Sequence, residues 1–314
     1  MKTLIPDKIM GRFFARRFFY MQITKVVCYL AASKLLAYIT ETKPEYEIYV
    51  YSLLFFASFV IGLYGAYTFF RVEDRPVSVS KTMPFFKQII LTFKNKPFRL
   101  LLGSLGIVNF GFAFITPFIV VFMMNRLNIG MDVILILTLV SQMSYVFMIK
   151  KLGRIGDKKG SCYILDIAIV MMIIFLFGLI GLNQLSVLGY SENKIIAMLY
   201  ALHVILGFST AGFNLGLNNT TLLYVPHDNA TIYLSVNSVF KSAAGALGSL
   251  VAGFALSACL WLGKSVETAQ TNSSSLGWLL FFVVCIVISA LGLFMLARLD
   301  IQHKEEHNRP RKVG

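Results

Sequence analysis

The sequence has few charged residues: 14% of its 314 positions are Asp, Glu, Lys or Arg, whereas 57% are hydrophobic. A soluble domain carries about 25% charged residues, so this composition excludes a chain that covers its whole surface with charge. No stretch alternates apolar and polar residues over about ten positions, which argues against the strands of a membrane β-barrel. The chain is therefore expected to be helical and embedded in a membrane.

The sequence also lacks the residue groupings of an enzyme. It contains no Ser/His/Asp set in a loop, no paired carboxylates at a plausible membrane depth and no phosphate-binding glycine loop. Its four cysteines, Cys28, Cys162, Cys259 and Cys285, lie in apolar runs without metal-ligand spacing, and we expect them to be small buried hydrophobic residues. We predict no enzymatic activity, no metal site and no cofactor.

Long apolar runs are abundant. Eight of them approach or exceed the ~20 residues that a helix needs to cross ~30 Å of hydrocarbon. The runs are Phe18–Ile39, Ile48–Phe70, Leu100–Met124, Val133–Ile149, Cys162–Leu182, Ile195–Leu223, Ala243–Leu262 and Leu276–Leu296. The predicted fold class is an all-α membrane protein with eight transmembrane helices.

The excess of basic residues indicates topology. Lys and Arg number 29 against 15 carboxylates, a net charge of +14, and they concentrate in every second connection between the runs. The other connections hold only Lys43, Arg126, Lys194 and Lys264. By the positive-inside rule, both termini are predicted to be cytoplasmic in a multi-pass protein of the cell (inner or plasma) membrane. The lipid bilayer is an expected partner of the protein, and no nucleic-acid partner is expected.

The longest connection, Arg71–Arg99, is strongly basic. Within it Phe85, Phe86, Ile89, Ile90 and Phe93 recur at helical spacing. The pattern predicts an amphipathic helix on the cytoplasmic membrane surface over residues 79–96. A plain charged linker is the alternative.

Two segments of the chain echo each other at an offset of 220 residues. Residues 4–15 resemble residues 224–235, with Pro6 matching Pro226 and Phe13 matching Tyr233. Each segment precedes a helix predicted to run from the cytoplasm outward. Transporters are often built from such duplicated halves.

The residues Gly153-Arg-Ile-Gly-Asp157-Lys158-Lys-Gly160 resemble the signature cytoplasmic loop of the major facilitator superfamily (MFS). Its glycines permit a tight turn, and its Asp can cap a neighbouring helix. An ordinary basic turn is the alternative interpretation. Ser161-Cys162 stands where the family usually has paired basic residues.

The resemblance implies helices five to twelve of a twelve-helix plan, truncated at the amino end. Residues 1–78 would be a remnant of an N-terminal bundle, 79–96 a linker and 97–314 a complete six-helix bundle. The implied function is secondary active transport of a small solute by alternating access, with a coupling ion as a further partner. The missing helices or a second copy would complete the molecule. The alternative is a truncated relic or assembly subunit without transport activity of its own.

Polar residues at helical spacing within the apolar runs are the candidates for a substrate cavity. These candidates are Lys25, Asn109, Gln142, His203, Asn214 and Asn218. Hydrogen bonding between packed helices is the alternative for such residues, and for His203 a neutral packed histidine is weighed against a proton carrier.

The resemblance also implies a contact for Asp157. It places this carboxylate against the start of the first helix, at about Gly11–Arg17, with Arg12 and Arg16 as helix-start partners. The alternative is pairing with Lys158 or Lys159 in solvent, which would contribute little.

Overall fold

The computed structural model describes residues 9–71, 90, 92–225, 230–265 and 273–308, and these are helical almost throughout. The helices are α1 (Met10–Thr42), α2 (Glu47–Phe70), α3 (Lys96–Asn125), α4 (Met131–Lys159), α5 (Ser161–Val187), α6 (Glu192–Tyr224), α7 (Ala230–Ser265) and α8 (Ser273–Asn308). All eight are long and apolar enough to cross a membrane. The prediction of an all-α chain with eight such helices is confirmed.

Two of these helices extend well beyond their apolar runs. α4 continues ten residues past Ile149, and α7 begins thirteen residues before Ala243. α7 has 36 residues and is therefore roughly 54 Å long, more than a bilayer core requires. Hydropathy marks the segment buried in lipid, whereas a helix continues for as long as its backbone can hydrogen-bond.

The chain divides into two compact units, Tyr20–Thr82 and the combination of Met1–Phe19 with Met83–Gly314. In the larger unit, α3 to α8 all contribute to one hydrophobic core. Phe114, Phe122, Phe175 and Phe281 are fully buried there. The domain prediction assigned all of residues 1–78 to a remnant bundle, whereas the first residues of α1 group with the six C-terminal helices.

Close helix contacts in the larger unit occur at small residues. On α7, Gly248 lies against the backbone of Phe110, and the Ser249 hydroxyl donates to the Ala113 carbonyl at 3.0 Å. Gly207 on α6 touches the backbone of Ser141 on α4. Small residues on α6 and α7 thus allow the helix backbones to approach closely.

The smaller unit contains most of α1 and all of α2. No described side chain of α2 is buried, and a Cβ added at Gly62 or Gly65 would meet no atom within 4 Å. Cys28 on α1 is exposed, so the expectation of four buried cysteines is wrong for this one. It lies on a helix whose surface is mostly uncovered.

The two echoing segments lead into helices that begin 220 residues apart, α1 at Met10 and α7 at Ala230. The prolines of the echo, Pro6 and Pro226, lie outside the described residues, as does most of the predicted amphipathic segment 79–96.

Candidate functional site

The signature motif is the last two turns of α4, and the prediction of a loop is wrong for most of it. α4 runs through Lys159, so Gly153 and Asp157 are helical residues. Only Gly160 makes the turn, with a φ of 95° that disfavours any side chain. The next helix begins at once at Ser161.

Gly153 serves as a point of close helix approach. A Cβ at this position would lie 2.5 Å from the Ala15 Cβ and 2.8 Å from the Gly11 carbonyl oxygen. At Gly11, a Cβ would lie 2.6 Å from the Gly153 carbonyl oxygen and 2.7 Å from Asp157 Oδ1. The start of α1 can therefore reach α4 only because both helices have glycine here.

Asp157 caps the amino end of α1. The Gly11 amide donates to Asp157 Oδ1 at 2.7 Å, and the Arg12 amide donates to Oδ2 at 3.2 Å. The Arg12 guanidinium Nε donates to the same Oδ2 at 2.8 Å. The first amides of a helix have no partner within the helix and carry partial positive charge, so a carboxylate satisfies both needs. The contact predicted for Asp157 is present.

The electrostatics of this contact depend on the neighbouring helix. Asp157 lies in the last turn of α4, where the dipole of its own helix disfavours an anion. Its side chain is only 7% exposed, whereas that of Arg12 is 59% exposed. The backbone amides of α1 are therefore the main stabilising partners, and the exposed ion pair adds little. Arg16 and Lys158, both described, are exposed and form no ion pair with Asp157.

Apolar side chains surround the contact on its inner side. Met10 and Phe14 are buried in a cluster with Leu152 and Leu215, and Phe18 extends this cluster along α1. The ammonium of Lys150 lies 3.4 Å from the centre of the Phe19 ring, one further point of attachment between the two helices. Phe13, next to Phe14 in the chain, is 46% exposed and lies outside this cluster.

Two of the cavity candidates lie on an open face of α6. Asn214 and Asn218 are exposed, and the Asn218 amide group donates to the Asn214 carbonyl at 3.4 Å. The Asn214 side chain hydrogen-bonds to the buried Tyr145 of α4. These residues form a polar strip along the α4 and α6 side of the larger unit.

Two other candidates make packing contacts, in agreement with the alternative interpretation. His203 is 2% exposed, its Nδ1 lies 2.8 Å from the Leu199 carbonyl oxygen, and its ring meets Phe175 edge to face. The Asn109 amide donates to the Lys241 carbonyl on α7 at 2.7 Å. The expectation that His203 lines a cavity is wrong, because α5 covers the face of α6 on which it lies.

The remaining candidates are Gln142 and Lys25. Gln142 is part-buried on α4 and makes contacts of its own. Lys25 is exposed on α1 within the smaller unit. Among the described residues, no group of His, Cys, Asp or Glu side chains could hold a metal ion.

Sequence reasoning missed several residues of the α1 contact. Gly11 and Phe19 were not singled out, although a glycine in the first turn of a long helix signals close approach by a neighbour. The spacing of Gly11, Ala15 and Phe19 places them on one face, opposite Lys150, Gly153 and Asp157 of α4.

No family model matches this chain, and no curated protein matches it. The resemblance to the MFS rests on the motif of residues 153–160 and on the echo between residues 4–15 and 224–235. The function is therefore inferred from the chain's own residues.

Proposed function

We propose that this chain is a secondary active transporter that moves a small solute by alternating access, with the Asp157 contact holding one of its conformational states. The observation that supports this proposal is a buried carboxylate that caps the first turn of another helix, at a point where both helices have glycine. Such a contact is non-covalent, local and reversible, as a switch between two states requires.

The energy of the contact suits this role. A hydrogen bond to a charged group is worth about 1.5–3 kcal/mol, and each 1.4 kcal/mol changes an equilibrium about tenfold. Loss of the two amide bonds to Asp157 would therefore shift a two-state population by about two to four orders of magnitude. The polar strip of Asn214, Asn218 and Tyr145 supports the proposal, because polar groups within membrane helices usually face protein or water.

A transport assay tests the proposal. The purified chain, reconstituted into proteoliposomes, would be supplied with a panel of labelled small organic solutes. At least one should enter faster than it enters empty liposomes, and Asp157→Asn should slow that uptake about tenfold. Asp132→Asn is the matched control, because Asp132 is an exposed carboxylate in the first turn of the same helix. Uptake of no solute, or equal uptake by both variants, would count against the proposal.

The proposal includes a membrane orientation with both termini cytoplasmic. The basic connections favour this orientation by the positive-inside rule, and the Asp157 motif would then lie on the cytoplasmic side. Single cysteines at positions 272 and 305, in a chain whose exposed Cys28 is changed to Ser, can be labelled with an impermeant maleimide. Position 272 should react only from outside and position 305 only from inside, and the reverse pattern would contradict this orientation.

A second candidate function is that of a subunit that acts only with further helices. It is favoured by α2, none of whose described side chains is buried. Cross-linking in native membranes from a cysteine at Phe55, an exposed position on α2, would test it. A protein adduct at this position, together with no uptake by the chain alone, would favour this candidate over autonomous transport.

A further inference from the structure

Lys241 is a positively charged residue of α7 to which the proposed function assigns no role. It lies twelve residues into the helix, roughly 17 Å from its start, and is half-buried. It stands two residues before the apolar run Ala243–Leu262, and a half-buried charge at such a position favours a polar or anionic partner. Its backbone is fixed, because the Asn109 amide group of α3 donates to the Lys241 carbonyl at 2.7 Å.

The position of Lys241 relative to α6 follows from one buried hydrogen bond. The Asn237 amide group donates to the Thr221 hydroxyl at 3.0 Å, which sets the register of α7 against α6. Lys241 lies four residues after Asn237, roughly 6 Å along α7, and Asn218 lies three residues before Thr221, roughly 4.5 Å along α6. Consecutive membrane spans run in opposite directions, so these axial distances put Lys241 and Asn218 at about the same level along the two helices.

The described residues of the three helices around Lys241 offer it no anionic partner. The only carboxylate on α3, α6 or α7 is Glu192, in the first turn of α6 and roughly 39 Å from Asn218 along that helix. The one ion pair within the described ranges joins Arg12 to Asp157. Lys241 and Asn218 therefore offer a formal positive charge and an amide donor, with no carboxylate near them among the described residues of these three helices.

We propose that Lys241 and Asn218 form the anion-binding part of the substrate site, and that the transported solute carries a carboxylate. Asn109 positions Lys241 through its backbone carbonyl. Asn218 supplies a neutral amide donor beside the ammonium, and the polar strip toward Asn214 and Tyr145 accommodates the rest of the solute. This inference rests on the proposed transport function, which it deepens by naming the substrate class.

Binding of carboxylates to the full chain tests the inference without any requirement for transport. The probes are lactate, succinate and benzoate, each compared with its amide at equal ionic strength, and the readout is the thermal unfolding midpoint in phosphatidylcholine nanodiscs. At least one carboxylate should raise the midpoint more than its amide does. Lys241→Gln should raise the dissociation constant at least about tenfold, and Lys241→Arg should restore most of the binding.

Lys264→Gln is the matched control, because Lys264 is an exposed lysine at the other end of α7. It should bind the carboxylate as the unmodified chain does. Repeating the measurement with phosphatidylglycerol distinguishes a lipid headgroup from a solute. If this lipid stabilises the chain through Lys241 and none of the carboxylates does, the solute site is wrong.

Two outcomes overturn the inference: binding of none of the three carboxylates, or equal binding by Lys241→Gln. A transported neutral solute whose uptake is unchanged by Lys241→Gln would leave the proposed function standing while removing this substrate class. Carboxylate binding that depends on Lys241 without any uptake would support this binding site and count against the proposed transport function.

Discussion

α2 lies in a membrane span that is as apolar as α7, but the two helices differ in their surroundings. Both are long and apolar enough to cross a membrane, yet no described side chain of α2 is buried, whereas six residues of α7 are buried. α7 meets α3 through Gly245 and Gly248, whereas Gly62 and Gly65 of α2 meet nothing. Apolar composition thus indicates that a helix can enter a membrane, and small residues in actual contact show where it packs.

The largest expected effect compares a glycine that touches a neighbour with one that does not. Gly248→Leu should destabilise the chain by about 3 kcal/mol, because a Cβ would lie 2.5 Å from the Phe110 carbonyl oxygen. Leu is a better helix former than Gly, so any loss reflects the clash. Gly62→Leu should leave the thermal unfolding midpoint unchanged or slightly raised. Equal unfolding midpoints for the two variants would contradict the claim that α7 is closely packed at Gly248 and α2 is not packed at Gly62.

A smaller effect is expected at the contact between α1 and α4. Gly153→Ala should cost about 1–2 kcal/mol, because the new methyl group would press on Ala15 and on the Gly11 carbonyl. Gly103→Ala is the control, since a Cβ there meets no atom within 4 Å and should stabilise α3 by about 0.5–1 kcal/mol. Denaturation in detergent measures both, and a Gly153→Ala chain as stable as the control would show that α1 does not depend on close approach.

The smallest effect is expected for the exposed partner of Asp157. Arg12→Gln should cost less than about 1 kcal/mol, because its guanidinium is largely in solvent, and the difference should disappear in high salt. Unfolding midpoints at low and high ionic strength provide the measurement. A large, salt-independent loss would mean that the ion pair, and not the helix cap, holds this contact.

The sequence predicted the eight helices well because each has a long apolar run, and hydropathy responds directly to such runs. It predicted the partner of Asp157 through the resemblance of residues 153–160 to a family motif. Helix ends were predicted less well: α4 continues to Lys159 and α7 begins at Ala230, since hydropathy does not report backbone hydrogen bonding.

The sequence only partly distinguished the polar candidates that pack between helices from those that remain exposed. Helical spacing shows that His203 and Asn214 share a side of α6, but not which neighbour covers each part of it. The structure places His203 against Phe175 and leaves Asn214 exposed. Lys241 was not among the sequence candidates, because it precedes the apolar run of α7 by two residues.

Amide hydrogen exchange at the start of α1 tests the central claim most directly, namely that Asp157 caps this helix and holds it on α4. Amides in the first turn of a helix normally exchange fast, so protection at Gly11 and Arg12 must come from a partner outside the helix. Asp157→Ala should speed exchange at these two amides at least about tenfold, a loss of about 1.4 kcal/mol, while Asp132→Ala leaves it unchanged. Equal protection in both variants would contradict the account.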